Sequence, residues 1–461
     1  MSIIAAAALP HPPLIMPEVG RGDEKIIQRT VDAYRTVMQR AAALRPDVIV
    51  ITSPHSVMYA DYFHISPGNT ATGSFAQFNA PQVSVTVDYD TEFVSALAAK
   101  CAERHIPAGT FGERNAALDH ATLIPLRFWQ EHNQPCPVVR IGLSGLPAGA
   151  HYALGQAIAD VAEALGRRVF FVASGDLSHK LNATGPYGFA PEGPQFDRQT
   201  MDCLGRADFL PLLEMDKDFA ERAAECGLRS FWIMTGALDG KNVKAETLSY
   251  EGPFGVGYGS VWFTPGDANP ERDFGAQLSV RHNKRLAERK AREDALVRLA
   301  RLSLETFVTS GHEGSLPDNL PAELTDVQAG AFVSLKKDGN LRGCIGTILP
   351  TQKNLAAEIW HNAISAAARD PRFSPVRPDE LAELVYSVDV LTQPEEISSP
   401  QELDPARYGV IVQNGGRQGL LLPDLAGVDT VDKQISIAKQ KAGIGAKEPV
   451  KLWRFEAIRH Y

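Results

Sequence analysis

The sequence IIAAAALPHPP (Ile3–Pro13) sets an unbroken apolar run directly before a histidine, His11, that stands among three prolines. A short apolar run that ends at proline is typical of a buried strand. The carboxyl ends of buried parallel strands face the crevice where α/β proteins bind ligands, and prolines fix the backbone there. We therefore predict a first strand over Ile3–Leu9 with His11 at the edge of a binding crevice.

The chain then alternates strand-like and helix-like patterns up to about residue 265. The further predicted strands are Asp47–Thr52, Val83–Val87, Val138–Leu143 and Arg168–Ala173. The predicted amphipathic helices are Asp23–Ala43, Thr91–Glu103 and Ala148–Leu165. Strands that alternate with helices indicate an α/β domain, which we place at residues 1–265, with its chemistry on the strand-end loops.

Three more histidines occupy similar positions. His55 follows the second strand in ITSPHS, His120 lies in ALDHATLIPL, and His179 ends the fifth strand in VASGDLSH. One such histidine alone would more often be a hydrogen-bonded structural residue, but four on similar loops favour a common site. Two histidines and a carboxylate form a triad that leaves one face of Fe(II) open for substrate and O2.

The carboxylate of such a triad must come from later in the domain. The best candidate is Glu225 in ERAAECGLRSFWIMTGALDG, although a carboxylate there could also serve the N-terminus of a helix. Cys226 would shift the preference toward softer ions such as Cu(I). The reserve candidates are Asp119, Asp176 and Glu251.

The blocks LPHPPLI, SPHS, DHATLIPL, SGDLSH and ECGLRSFWIMTGAL resemble, in order, those of the class III extradiol dioxygenase family. That family includes protocatechuate 4,5-dioxygenase and is related to the Memo proteins. The resemblance covers nearly all of residues 1–265. It implies Fe(II), with another divalent metal as the alternative, a small aromatic substrate and a homodimer.

The resemblance also assigns roles to individual residues. His11 and His55 match the two histidine ligands, and Glu225 matches the glutamate ligand. His179 matches the acid–base histidine, which would take and return a proton. His120 matches a further histidine of the family, which does not bind the metal but faces the substrate and the bound oxygen.

Two residues bear on the pocket and on the choice of reaction. Tyr187, in GPYGF, could line the substrate pocket or pack as a core tyrosine. Asp176 is typical of the Memo-like branch, in which dioxygenase activity is not general. Three functions therefore stay open: a ring-cleaving dioxygenase, a Memo-like metal-binding protein that is not a dioxygenase, and a metal-binding scaffold.

A polar, charged segment, 266–294, predicts a linker running into an exposed helix, and a second domain follows at 295–461. Its blocks LRGCIGT (Leu341–Thr347) and ARDPRF (Ala368–Phe373) resemble the AMMECR family, which implies a smaller α+β fold. Arg342, Cys344 and Arg372 are candidates for an anion-binding pocket. The alternative is a glycine-shaped structural turn with an inert cysteine.

The composition limits the partners and the compartment. A net charge of -9 argues against a nucleic-acid or anionic-membrane binder, and no apolar run is long enough to span a bilayer. Five scattered cysteines without a CxxC motif favour a reducing compartment, so we expect a cytoplasmic protein. The pairing of the two modules resembles the AmmeMemoRadiSam grouping, which implies a radical S-adenosylmethionine protein as a partner.

Overall fold

The computed structural model describes residues 2–132, 134–425 and 427–461. The chain divides into two compact units, the first ending at Arg281 and the second running from His282 to Tyr461. This boundary falls inside the segment 266–294 and within a polar helix, Phe274–Arg292, in which Phe274 is buried.

The first unit alternates strands with helices. Its strands are β1 (Ile3–Leu9), β2 (Val48–Ser53), β3 (Phe63–His64), β4 (Thr70–Phe75), β5 (Ala80–Asp88), β6 (Ala108–Gly109), β7 (Val138–Gly142), β8 (Val169–Ser174), β9 (Lys241–Glu251) and β10 (Tyr258–Ala268). Its helices are α1 (Pro17–Gly20), α2 (Gln28–Leu44), α3 (Thr91–Glu103), α4 (His120–Gln130), α5 (Ala148–Ala164), α6 (Glu192–Gly205), α7 (Leu210–Leu213), α8 (Lys217–Ala223) and α9 (Leu228–Ala237). Helix α10 (Phe274–Arg292) begins in the first unit and ends in the second.

A six-stranded sheet in the order β7-β2-β8-β1-β10-β9 forms the centre of this unit. Strands β7, β2, β8 and β1 are parallel, whereas β10 is antiparallel to β1 and β9 to β10. The carboxyl ends of β2, β8 and β1 therefore lie side by side at one edge of the sheet. The loops that follow these three strands carry most of the histidines named above.

Both faces of the sheet are covered, so β1, β2 and β8 are continuous apolar runs rather than alternating patterns, and the polar residues of β2 and β8 stand at their carboxyl ends. In β1, Ala6 and Ala8 join one core cluster, and Ala5, Ala7 and Leu9 join the other. This alternation follows from the two-residue period of a strand. The first cluster contains residues of α3, α5 and α9, and the second contains residues of α2 and α4.

The five predicted strands and three predicted helices are confirmed, with small shifts at their ends. The run at Val83–Val87 lies within β5, which pairs with β4 in a separate two-stranded sheet and not with the central one. The stretch predicted as a helix from Asp23 begins as a 3-10 turn over Asp23–Ile27, and α2 starts at Gln28.

The second unit is an α+β arrangement. Its strands are β11 (Ala331–Lys337), β12 (Asn340–Gly346), β13 (Val385–Leu391), β14 (Glu395–Ile397), β15 (Gly409–Asn414), β16 (Arg417–Leu421), β17 (Lys451–Phe455) and β18 (Ala457–His460). Its further helices are α11 (Ala295–Ser310), α12 (Ala322–Thr325), α13 (Leu355–Ala368) and α14 (Val431–Lys441).

Two four-stranded sheets organise this unit, with the orders β12-β11-β13-β18 and β14-β17-β15-β16. Helices α11 and α13 pack on one face of the first sheet, where Val333 and Leu335 of β11 are fully buried. Across the residues that the structure describes, none of the helices has the length and apolarity needed to cross a bilayer.

Candidate metal centre

Four polar side chains meet where β2, β8 and β1 end. His11 follows β1, His55 follows β2, and Asp176 and His179 follow β8. The Nε2 atoms of His11 and His55 are 3.1 Å apart, although 44 residues separate them in the chain. The sheet order explains this convergence, since β8 is flanked by β1 and β2.

The hydrogen bonds of His11 fix its tautomer. The hydroxyl of Ser174 donates to the carbonyl oxygen of Ala121 at 2.8 Å, so its oxygen is left to accept from Nδ1 of His11 at 3.1 Å. With the proton on Nδ1, Nε2 carries a lone pair, and that atom faces His55. His11 is therefore held ready to act as a ligand, with its outer nitrogen anchored.

His120 brings a third imidazole to the same place. Its ring centroid lies 4.2 Å from that of His55 and 5.4 Å from that of His11, and Phe78 packs edge-on against it at 5.2 Å. Burial, and then the neighbouring histidines, lower the pKa of His120 to about 3. Burial and His55 likewise hold the pKa of His11 well below its usual range. His11 and His120 are therefore neutral at pH 7.

Cys226 approaches the site from the loop before α9. Its Sγ lies 3.6 Å from Nε2 of His11 and accepts a hydrogen bond from the amide of Asp176 at 3.3 Å. This approach depends on two glycines, because a Cβ on Gly175 would come within 2.1 Å of Cα of Gly227. The donor atoms of His11, His55 and Cys226 lie within 4.8 Å of one another, and so do those of Asp176, His179 and Cys226.

The carboxylate of Asp176 contacts both the backbone and the ring of His11. Its Oδ1 accepts from the backbone amide of His11 at 2.6 Å, and its Oδ2 lies 4.0 Å from Nε2 of the same histidine. Burial raises the pKa of this carboxyl to about 6. A single aspartate thus connects the loop after β8 with the loop after β1.

The carboxylate of Glu225 serves the N-terminus of a helix, which is the alternative role that the sequence gives it. It accepts from the amide of Leu228 at 2.6 Å and so caps the start of α9, and burial raises its pKa to about 7. Neither of the two donor groups within the described residues includes it. The thiol of Cys226, the next residue in the chain, occupies the position beside His11, so a ligand role for Glu225 stays a prediction.

Two of the reserve carboxylates also serve as helix caps. Asp119 accepts from the hydroxyl of Ser53 at 2.6 Å and from the amide of Thr122 at 3.1 Å, at the start of α4. Glu251 accepts from the amide and the hydroxyl of Thr30 in α2. Of the three reserve residues, Asp176 is the one whose donor atom groups with those of His179 and Cys226, although the charge of Asp119 also acts on His11 and His120.

His179 lies at the side of this centre with one nitrogen unpaired. Its Nδ1 is buried, and no hydrogen-bond partner for it is found within the described segments. The ring of Tyr187 meets the ring of His179 edge-on at a centroid distance of 5.1 Å. Tyr187 is 59% exposed, so it stands at the mouth of the site rather than in the core.

The donor set fits a transition metal. Two nitrogen ligands about 2.1 Å from one ion lie roughly 3 Å apart when their bonds meet at a right angle. The 3.1 Å separation of the Nε2 atoms of His11 and His55 agrees with that value. Imidazole nitrogens suit iron, copper and zinc, and a thiol among the donors favours the softer of these.

The three candidate residues of the second unit separate in the structure. Cys344 and Arg372 lie on the wall of a cavity of about 960 Å³. Arg342 does not line it, because its guanidinium makes two hydrogen bonds to Glu380, at 2.8 and 2.9 Å, and another to the carbonyl of Ser374. Arg342 therefore holds two segments of the chain together and is already neutralised.

The sequence-based prediction missed the role of Ser174 and undervalued Cys226. Ser174 ends the strand in VFFVAS, directly before GDLSH, and a hydroxyl at a strand end beside a predicted ligand is the available signal. The predicted triad needs a carboxylate, and Glu225 offers one directly beside Cys226, so the sequence favours Glu225 as the ligand. Which of two adjacent residues faces the histidines depends on backbone placement that the sequence does not reveal.

Comparison with known proteins shows the families to which the chain belongs. A model described as the catalytic LigB subunit of aromatic ring-opening dioxygenase matches residues 5–261, and the AMMECR1 model matches residues 297–460. Protein CA_C1420 of Clostridium acetobutylicum is 39% identical over the full length of this chain and 99% of its own. A protein of Thermotoga maritima is 52% identical over 36% of this chain and 98% of its own length.

Two solved structures also match parts of the chain. One, titled as uncharacterized protein PH0010 from Pyrococcus horikoshii, is 34% identical, with a TM-score of 0.34, and covers 36% of this chain and 88% of that one. The other, titled as uncharacterized protein JW3007 from Escherichia coli K12, is 17% identical, with a TM-score of 0.38, and covers 56% of this chain and 99% of that one. The two family models and the full-length relative show where the chain belongs. Its first unit belongs to the LigB family of aromatic ring-opening dioxygenases, and its second unit is an AMMECR1 domain.

Proposed function

We propose that the first unit is a metal-dependent oxidoreductase that opens aromatic rings bearing two neighbouring hydroxyl or amino groups. The observation that carries the proposal is the 3.1 Å approach of the Nε2 atoms of His11 and His55, with a lone pair of His11 directed at the shared position. His11 and His55 would hold the ion. The third ligand would be Cys226 or Glu225, and the metal would be Fe(II).

A ferrous ion, when bound, would bring substrate and O2 together and pass electrons between them. The protein would supply the proton transfers. His179, whose donor nitrogen lies within 4.8 Å of the Cys226 thiol, would take a proton from a substrate hydroxyl and later return it. His120, neutral and next to His55, would donate a hydrogen bond to the reacting oxygen atoms.

Tyr187 and Phe78 would position the ring of the substrate. Tyr187 stands exposed beside His179, and Phe78 packs against His120. Aromatic side chains beside these two histidines suit a flat substrate, because ring–ring contacts are favourable edge-on and in offset stacks.

The test is O2 consumption by protein purified without oxygen and loaded with Fe(II), using a panel of catechols and aminophenols. We expect uptake together with a coloured ring-fission product for at least one substrate. His179→Gln should keep its iron and lose turnover by roughly 10²–10⁴-fold. His312→Gln, an exposed histidine of the second unit, is the matched control and should behave like the parent.

A second function is favoured by one observation, the thiol of Cys226 beside His11. A thiolate ligand suits a softer ion such as Cu(I) or Zn(II) better than Fe(II). The protein would then be a Memo-like metalloprotein that works with a radical S-adenosylmethionine partner and does not cleave rings. Tight binding of such an ion, with no O2 uptake on any substrate of the panel, would favour this alternative over the first.

A further inference from the structure

The second unit contains a cavity of about 960 Å³ on one face of the β12-β11-β13-β18 sheet. Phe332, Ser334 and Lys336 of β11 line it, whereas the alternate residues Val333 and Leu335 point to the core beneath α11 and α13. The cavity therefore lies on the sheet face that those helices leave uncovered. Its volume is at the upper end of the range of pockets that hold small organic molecules.

The inner walls of the cavity are largely apolar. Phe332 comes from β11, Val385 from β13 and Leu420 from β16, and Leu422 follows that strand. Phe332, Leu420 and Leu422 pack against a small buried cluster formed by Leu391, Ile411 and Phe455. Their outer surfaces are only partly covered, so an apolar group in the cavity would bury more of them and gain from the hydrophobic effect.

The charges around the cavity are unbalanced. Six cationic and three acidic residues line it. Two of the acids are already neutralised, since Asp389 makes two hydrogen bonds to Arg459, at 2.7 and 3.1 Å, and Glu293 is paired with the buried Arg301. The third acid, Asp424, is exposed.

Four of the cations remain free of acidic partners. Arg289, Arg292, Lys336 and Lys441 are exposed, and none has a carboxylate within 4.0 Å in the described parts of the chain. Exposed cations around an apolar interior form a basic rim, which attracts an anion without the cost of burying unpaired charge. These four residues form the basic rim of the cavity.

Cys344 lies on the wall of the cavity, so the reactivity of its thiol can be used to detect a bound ligand. Its Sγ accepts a hydrogen bond from Ser334 at 3.2 Å, and its amide donates to Asp370 at 2.9 Å. Its carbonyl accepts from Arg372 at 3.1 Å. These contacts fix the backbone and the thiol in one place on the cavity wall.

We propose that this cavity binds a small organic anion with an apolar body, of the carboxylate class, with the body against the apolar walls and the charge at the basic rim. An inorganic anion would leave the apolar walls in water, and a neutral apolar molecule would leave the four cations with only Asp424 as a counter-charge. A molecule that carries both features satisfies both parts of the cavity. The site lies wholly within the second unit and is distinct from the metal centre.

The test follows alkylation of Cys344 by iodoacetamide in the full-length protein, with mass spectrometry of the peptides, in the presence of decanoate, decan-1-ol or inorganic phosphate. We expect decanoate to slow the reaction of Cys344 in a saturable way. Decan-1-ol should need about tenfold more for half protection, because it forms no charge-assisted hydrogen bond. Phosphate alone should not protect. The other cysteines provide an internal comparison in the same sample.

Two variants test the two features of the proposed ligand. Lys336→Met with Lys441→Met should raise the decanoate concentration for half protection about tenfold, whereas Lys447→Met, an exposed lysine outside the cavity, should leave it unchanged. Ser387→Phe adds a ring to the cavity wall on a strand that tolerates aromatic residues, and it should abolish protection. Circular dichroism checks that each variant is folded.

Several results would overturn the proposal. Equal protection by decan-1-ol would remove the requirement for charge, and protection by phosphate alone would remove the requirement for an apolar body. Protection that persists in Ser387→Phe would place the ligand elsewhere. A Cys344 that decanoate does not protect, or that no alkylating agent reaches in the ligand-free protein, would exclude an accessible site.

Discussion

The hydroxyl of Ser174 lies at the outer edge of the candidate metal centre, and it sets the tautomer of His11. Because it donates to Ala121, it can only accept from Nδ1 of His11, and this leaves Nε2 with its lone pair toward His55. A ligand held in the correct tautomer binds a metal more tightly than one that must first lose a proton or turn its ring. We therefore expect the metal affinity of the proposed centre to depend on a residue that would not touch the ion.

Ser174→Ala should lower the metal affinity by about 10–100-fold, the usual effect of removing an outer-sphere partner. His11 itself remains, so the loss should be smaller than that of His11→Ala. Ser249→Ala is the matched control, because Ser249 is also buried but its hydroxyl has no hydrogen-bond partner within the described residues. Competition with a chromophoric chelator measures all three. An unchanged affinity in Ser174→Ala would show that His11 finds its tautomer without this hydroxyl.

The third ligand can be identified by comparing two adjacent residues. From the 3.6 Å contact of Cys226 with His11 and the helix-capping bond of Glu225, we expect Cys226→Ala to weaken metal binding by more than about 100-fold. Glu225→Gln keeps an oxygen that can accept from Leu228, so it should keep the metal. Metal analysis after dialysis measures the difference. The reverse ranking would restore Glu225 as the ligand that the sequence predicts.

At the scale of elements, two glycines bring the loop after β8 against the start of α9. Gly175→Ala is expected to push these backbones apart, because the new Cβ would lie 2.1 Å from Cα of Gly227. The shift separates Cys226 from Asp176, so both the metal affinity and the melting temperature should fall. Gly149→Ala, near the start of α5, has no atom within 4 Å of the new methyl group and should be neutral or slightly stabilising. If both variants bound metal equally, the glycine contact would have no part in forming the site.

A second prediction at this scale concerns Glu358, a buried carboxylate in α13. It accepts from the hydroxyl of Thr347 at 2.6 Å, from the amide and hydroxyl of Thr351 at 2.7 and 2.9 Å, and from the amide of Gln352 at 2.8 Å. These bonds hold the segment after β12 and lower the pKa of the carboxyl against the opposing effect of its burial. Glu358→Ala should therefore destabilise the second unit by about 2–4 kcal/mol at pH 7.

The pH dependence of that effect follows from the lowered pKa. The contribution of Glu358 to stability is fully present above the unfolded-state pKa of about 4.3 and is lost as the pH falls from there through the lower folded-state pKa. The difference in unfolding free energy between the parent and Glu358→Gln should thus shrink as the pH falls from about 6 to about 3, because this range spans the unfolded-state pKa. Urea denaturation at several pH values measures it, and a pH-independent difference would contradict the assignment.

Elements were predictable from the sequence to within a few residues because β1, β2 and β8 are buried on both faces and are apolar up to the polar residues that end β2 and β8. The convergence of His11 and His55 also followed, since both stand at the ends of such strands. The pairing of β5 with β4 could not be predicted, because an apolar run does not specify its neighbour. The choice between Glu225 and Cys226 depends on the close approach of two glycines, a tertiary contact that leaves no periodic signal.

At the scale of the whole molecule, each unit has its own buried core. Core clusters of the first unit contain residues of the six-stranded sheet and its helices, whereas those of the second contain residues of its two four-stranded sheets. A unit with its own core can unfold as a cooperative element. We therefore expect two separable transitions in calorimetry of the full chain.

Single core substitutions can assign these transitions. Leu335→Ala removes a fully buried side chain from β11 and should cost about 2–5 kcal/mol in the second unit. It should lower one transition and leave the metal content of the first unit unchanged. Val172→Ala, at an equally buried position in β8, should lower the other transition and promote metal loss on heating, because β8 leads directly into Asp176 and His179. If both substitutions lowered one common transition by similar amounts, the two cores would unfold together, and a mutation in the AMMECR1 half would then be able to weaken the metal centre through stability alone.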